Sequence, residues 1–222
     1  MSMQQEIEAK FLRQDHDEVR RKLQMIGAVC ESPMKLVRRT VFDFPDRRLQ
    51  QSRSWVRLRE ELDGSIELML KTVAADEIGQ TFEQPVTVTD YEAAHAFLRS
   101  IGLDAKGEQE SRREVWRYND VEIMLDEWPW VPPFIEIEAS SKELVQDLAA
   151  KLNLNWQDAQ FGGVTPVYAD AYNISSEEFE SLDLSMQFEV DPPEVLTNTH
   201  ISVIIKRCDQ KVLHFTMVNL EN

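Results

Sequence analysis

Two segments of this 222-residue chain place glutamates two residues apart, Glu6-Ile7-Glu8 and Glu136-Ile137-Glu138, and a third spaces arginines the same way, Arg57-Leu58-Arg59. In an extended strand a spacing of two brings both side chains to one face. Glu6 and Glu8 share theirs with Lys10, and in Ile66 to Lys71 the apolar Ile66, Leu68 and Leu70 leave Glu67, Met69 and Lys71 opposite. A charged strand face is commonly just a solvated one. The repetition points elsewhere: if the sheet curls into a barrel, one face of every strand points into the lumen, and carboxylates and cations converge on one cavity. That mixture suits a triphosphate held with a metal ion. Mg²⁺ and Mn²⁺ are hard cations that take carboxylate oxygens and leave positions for phosphate oxygens. Arginine forks and lysine ammonium groups neutralise the remaining phosphate charge. Catalysis of phosphoryl transfer is then mainly positioning and charge stabilisation.

The elements that would carry these residues are legible as period-two runs. Beyond those named, Val121 to Asp126 has Val121, Ile123 and Leu125 apolar with Glu122, Met124 and Asp126 opposite, and Phe134 to Ala139 carries the second glutamate pair. Helical spacing lies between the strands. Asp15 to Gly27 places Val19, Leu23 and Ile26 on one stripe and ends at a glycine stop. A second helix runs from Asp90 as N-cap through Ala93, Phe97 and Ile101, and a third starts near Ser140 or Ser141 with Leu144, Leu148 and Leu152 on one stripe. Hairpin turns are expected at Asp63-Gly64 and Asn119-Asp120. The predicted class is α+β, an antiparallel β-barrel with helices packed outside.

Composition bounds the rest. A hydrophobic content of 42% and a charged content of 29% are those of a globular chain, and no apolar run approaches the ~20 residues that span a bilayer. No membrane segment and no secretory leader is expected, which predicts a cytoplasmic protein. A net charge of −16 argues against general nucleic-acid binding, but not against a small anion held by an inward cluster of cations. Cys30 and Cys208 lack metal-ligand spacing and read as free thiols. The histidines His16, His95, His200 and His214 lack it too, Gly162-Gly163 lacks the pattern of a phosphate-cradling turn, and Trp128-Pro129-Trp130 reads as a rigid packed loop. From Ser175 to Pro193 the chain is acidic and proline-terminated, which predicts an extended, weakly packed segment. Ile201 to Ile205 and Val212 to Phe215 are expected to form a small hairpin.

Seven stretches in order resemble the CYTH, or triphosphate tunnel metalloenzyme, family: Glu6-Ile7-Glu8-Ala9-Lys10, Thr40 to Asp46, Arg57-Leu58-Arg59, Leu68-Met69-Leu70-Lys71, Arg113, Asp126 and Glu136-Ile137-Glu138. That family includes class IV adenylate cyclases, thiamine triphosphatases and inorganic triphosphatases. The resemblance covers about residues 3 to 173 and implies a tunnel domain over 1–173; the change of composition after it predicts an acidic, partly disordered extension over 174–222. The resemblance also implies that Glu6, Glu8, Glu136 and Glu138 are metal-associated, with Mg²⁺ or Mn²⁺ as cofactor. Lys10, Arg57, Arg59, Lys71 and Arg113 would hold phosphates, with Lys10 and Arg59 catalytic, and Asp126 would orient a nucleophile or join the metal shell. There are departures. Only Glu83 remains where the family has Arg-x-Glu-x-Glu, and Ser111 replaces the lysine of a Lys-x-Arg strand, with Arg112 as the neighbouring substitute.

The expected partner is a triphosphate-bearing small molecule, with a homodimer left open. The expected reaction is metal-dependent cleavage: by water in a triphosphatase, or by a ribose 3′-hydroxyl in an adenylate cyclase. A non-catalytic polyphosphate or nucleotide binder is the third reading.

Overall fold

The first strand of the chain belongs to both edges of one sheet. In the computed structural model, which describes residues 3–197, β1 (Gln4–Glu6) pairs antiparallel with β6 (Thr81–Val88), while β2 (Glu8–Phe11) pairs antiparallel with β9 (Phe134–Glu138). The segment switches partner at Ile7. The remaining strands are β3 (Val29–Asp43), β4 (Ser54–Glu60), β5 (Ile66–Val73), β7 (Asp104–Tyr118) and β8 (Val121–Glu127). Their order is β1-β6-β5-β4-β3-β7-β8-β9-β2, so a nine-stranded antiparallel sheet begins and ends on one N-terminal segment, and the barrel is nearly closed. The predicted α+β barrel is the observed one.

Alternation decides which way each strand faces. Ala9, Phe11, Ile123, Leu125, Ile135 and Ile137 are buried on the outside of the barrel, beneath α1 (His16–Met25) and α4 (Lys142–Lys151). Fully burying such an aliphatic side chain is worth ~1.5–3 kcal/mol, so this face fixes the register and commits the opposite, charged face to the lumen. Phe42 and Leu58 pack likewise under α3 (Tyr91–Ser100). Side chains cap each helix start: Asp15 accepts from the backbone of Asp17 and Glu18, Asp90 from Ala93, and Ser141 from Leu144. The hairpins turn where expected, with Gly64 and Asn119 at positive φ.

Two helical stripes differ from expectation. Helix α3 packs through Tyr91, Ala94 and Leu98, leaving Phe97 and Ile101 exposed; in α4 the packed residues are Val145, Leu148, Ala149 and Leu152, with Leu144 at the edge. The α3 contact face sits one residue round from the apolar stripe, whereas in α4 Leu148 and Leu152 pack as expected and Val145 and Ala149 take the place of Leu144; the barrel surface selects the face and leaves surplus apolar residues outside.

The acidic stretch after residue 174 is packed, contrary to expectation. Following α5 (Thr165–Tyr172), α6 (Ser176–Glu180) is opened by a Ser175–Glu178 capping box, and Phe179, Met186 and Leu196 join a core with Trp128, Phe134, Val167 and Tyr168. Met186 also exchanges backbone hydrogen bonds with Glu108 and Glu110 of β7. A Cβ on Gly107 would lie 2.2 Å from the Leu184 carbonyl oxygen, so glycine is what lets the strap approach. Apolar residues spaced widely among the acids do this packing, which average composition conceals. The Trp128–Trp130 loop is held as predicted: the Tyr168 and Tyr172 hydroxyls donate to the Pro129 and Trp130 carbonyls at 2.9 and 3.0 Å. His16 is buried against the Phe134 carbonyl and His95 packs on Phe42, both in structural settings, and Cys30 is free and exposed. The predicted hairpin, Cys208, His200 and His214 lie outside the described residues. Among those described, no helix is long and apolar enough to cross a membrane.

Candidate functional site

The barrel encloses a cavity of about 790 Å³. Of the residues singled out from sequence, Glu6, Glu8, Lys10, Arg57, Arg59, Lys71, Arg113, Glu136 and Glu138 all line it, and Asp126 does not. Asp126 is wholly buried behind Arg113, which donates to both its oxygens at 2.7 and 2.6 Å. This position does not suit the expected contact with a nucleophile or metal, since neither oxygen reaches the lumen. The group it can orient is the Arg113 guanidinium.

Pairing register sorts the carboxylates into two sets. Glu8 lies directly across from Glu138, and Glu138 directly across from Glu122 on its other side. Like charges opposite one another on adjacent strands repel. Oxygens of Glu6, Glu8 and Glu138 come within 4.8 Å of one another. Burial and the neighbouring Glu6, Glu8, Glu122 and Glu83 carboxylates push Glu138 up to about 8, and Glu8 is raised by burial despite the adjacent Lys10. An all-oxygen set crowded in this way fits a hard divalent cation, whose charge removes the repulsion.

Glu136 belongs to the other set. It lies across from Lys10, with their charged atoms 3.3 Å apart, and accepts from Arg113 at 2.7 Å. Burial works against its charge, but Lys10, Arg113 and Lys71 outweigh that and hold it at about 2. In this structure Glu136, expected among the metal-associated glutamates, is engaged in ion pairs with Lys10 and Arg113. Lys10 also contacts Glu8 and donates to the Gly162 carbonyl at 2.6 Å, while Lys71 lies 2.6 Å from Glu6 and 3.0 Å from Glu83. Both ammonium groups are buried, and the carboxylates around them keep them charged.

The cations concentrate across the lumen. Arg57 and Arg59 share Glu67 at 3.2 and 3.5 Å, and Arg59 also contacts Glu61. Burial and the nearby Arg57 lower the basicity of Arg59. Between these arginines and Arg113 stands Arg39, which was not among the residues expected from sequence. Nε of Arg39 and Nε of Arg57 are buried without an acceptor. The only hint in the sequence is that Arg39 keeps period with the cavity-lining Val41; the pairing that puts it opposite Arg59 is non-local. Arg112 is a correction. It is half exposed, pairs with Glu127 and stacks on Phe188, so it does not replace the missing lysine at Ser111.

Residues 4–159 match the CYTH domain family, most of the barrel that forms this cavity. The chain belongs to the CYTH family. No curated protein matches it. Among solved structures of similar fold, this CYTH chain resembles a protein of Vibrio parahaemolyticus described as a "putative adenylate cyclase", at 19% identity over 75% of this chain and 98% of that one, with a TM-score of 0.65. It also resembles the PH1012 protein of Pyrococcus horikoshii, at 23% identity over 69% and 93% of the two chains and a TM-score of 0.60. A third is a Hippeastrum protein whose description reports a dominant triphosphatase activity in a "putative adenylyl cyclase", at 14% identity over 77% and 97%, TM-score 0.53. At these identities the likeness is one of fold. The CYTH tunnel is thus built from strands whose inner faces carry the acidic set and the arginine set just described.

Proposed function

We propose that this protein is a divalent-metal-dependent enzyme that hydrolyses a triphosphate inside its tunnel. One observation carries the reading: the lumen has an acidic wall at Glu6, Glu8 and Glu138, facing a wall of arginines with acceptor-free donors. A polyphosphate with a hard cation satisfies both walls, and neither component alone does. Glu6, Glu8 and Glu138 would hold Mg²⁺ or Mn²⁺, which when bound offsets charge building up on phosphoryl oxygens.

The chain's own residues account for the rest. Arg57, Arg59, Lys10 and Lys71 bind phosphoryl oxygens and, being buried, do so where little water competes. Asp126 holds Arg113 rigid, so that guanidinium reaches the substrate without reorganising. In hydrolysis a bond forms from a water oxygen to phosphorus, the bridging P–O bond breaks with its electron pair on the leaving phosphate, and the water's proton passes to solvent. Residues 1–173 form the tunnel domain in this reading, and the described part of the 174–222 extension supplies one flank of the cavity through Phe179, Leu184 and Met186.

Adenylate cyclisation is the second reading, favoured by Trp55 and Phe161, aromatic side chains that line the cavity and offer flat surfaces for a base. Hydrolysis asks less of the site, since water needs no nucleoside pocket. Purified protein with Mg²⁺ or Mn²⁺ at mildly alkaline pH should release orthophosphate from tripolyphosphate and nothing after chelation. Cyclic AMP and pyrophosphate from ATP, with tripolyphosphate intact, would establish the cyclase instead. Binding of both without any product would leave a non-catalytic module.

A further inference from the structure

Arg39 is only 6% exposed, yet its guanidinium has no carboxylate in ion-pair contact among the described residues. Its neighbours of like kind are all matched: Arg57 and Arg59 with Glu67, Arg113 with Asp126 and Glu136. Arg39 instead donates through Nη2 to the Ser111 hydroxyl, lies 4.4 Å over the Trp128 ring, and leaves Nε without an acceptor. Burial and the charges of Arg59, Arg57 and Arg113 oppose its own charge. A lysine so placed could shed its proton; a guanidinium in a protein does not. The remaining way to relieve a buried, crowded positive charge is a counter-ion from outside.

Topology says which counter-ion fits. In the nine-strand order β3 occupies the middle position, four strands from β1 and four from β2. Once the barrel closes, Arg39 therefore stands across the lumen from Glu6 and Glu8, with Arg57 and Arg59 on one adjacent strand and Arg113 on the other. A monoanion at the acidic wall would not reach it; an extended, multiply charged anion bridging the lumen would.

We propose that Arg39 is a substrate-binding residue of this tunnel, holding phosphoryl oxygens on the side of a polyphosphate that faces away from the acidic wall. The inference rests on the triphosphate reading and sharpens it. By adding an unmatched charge to the arginine wall, Arg39 makes the site select chains of three phosphoryl groups over shorter ones. The ring of Trp128 and the Ser111 hydroxyl hold the guanidinium plane of Arg39 where it lines the cavity.

The test is calorimetric titration of metal-free full-length protein with tripolyphosphate, pyrophosphate and orthophosphate, alongside thermal unfolding without ligand. Arg39→Met keeps a long stem over Trp128 and removes the charge; Arg39→Lys keeps the charge and loses the fork. Arg39→Met should weaken tripolyphosphate binding at least tenfold, narrow its advantage over pyrophosphate, and leave the unliganded melting temperature unchanged or raised. Arg39→Lys should bind with intermediate affinity. If Arg39→Met and Arg39→Lys bind tripolyphosphate like the wild type while Arg57→Met loses it, the tunnel reading stands and the role of Arg39 is overturned. If the wild type binds tripolyphosphate neither metal-free nor with Mn²⁺ added, both readings fall. A melting temperature lowered by both Arg39 variants, with affinity intact, would show the residue to be structural only.

Discussion

Burial first, and then the carboxylates on both flanking strands and at Glu6, hold the Glu138 proton to about pH 8. The folded value lies above the ordinary 4.5, so the stability this proton contributes is complete below about 4.5 and is lost as the pH rises through about 8. Glu136 has the opposite sign: held at about 2, it contributes above 4.5 and loses that contribution as the pH falls towards 2. Metal-free protein should therefore melt highest in mildly acidic buffer and progressively lower from pH 5 to 8. Glu138→Gln should flatten that decline in melting scans with chelator present, and should cost about a hundredfold in Mn²⁺-dependent turnover. A wild-type melting temperature that does not change between pH 5 and 8 would contradict the crowded carboxylate set. Asp126 behaves differently because it is walled off from the lumen and has one partner, Arg113, to lose. Asp126→Asn keeps the shape and leaves Arg113 a single carboxylate, so urea unfolding should show a loss of about 3 kcal/mol.

At the scale of elements, the strap after α5 is held by close backbone approach as much as by apolar contact. Gly107 of β7 has the Leu184 carbonyl where a side chain would be. Gly107→Ala must push the strap outward, disturbing the Met186 hydrogen bonds to Glu108 and Glu110 and the burial of Phe179. Overpacking of this kind costs ~1–3 kcal/mol. Limited proteolysis should then cut the variant between α5 and Leu196 much faster than the wild type; equal resistance would mean that the strap is held elsewhere. The cavity should also open on that side, because Leu184 and Met186 line it, which predicts a higher KM for tripolyphosphate with a smaller change in kcat.

For the whole molecule, the formal charge of −16 coexists with a lumen whose middle strands carry arginines. Closing the barrel forces two opposed charge walls together, and ligands that relieve them stabilise the folded state by mass action. Mn²⁺ and tripolyphosphate added together at about a hundred times their apparent Kd should stabilise the protein by about 2.7 kcal/mol, read as a rise in melting temperature. Orthophosphate at the same concentration should give much less, since it does not span the lumen. An equal rise with orthophosphate would show that the walls act as separate sites.

Local periodicity determined much of this protein. Period-two alternation assigned Glu6, Glu8, Arg57, Arg59, Lys71, Glu136 and Glu138 to one strand face, and capping chemistry at Asp15, Asp90 and Ser141 set the helix starts, because both depend only on near neighbours in the chain. The ordered motifs carried the family. Tertiary structure decided what each charge touches. Arg39 of β3 lies in a regularly paired stretch from Lys35 to Val41, but Arg38 and Thr40 on either side of it are polar as well, so no apolar alternation announces it. That Glu136 meets Lys10 depends on strands that approach only when the N-terminal segment closes the barrel, and that Asp126 meets Arg113 depends on the cross-strand register of the β7–β8 hairpin, neither of which the period within one strand encodes.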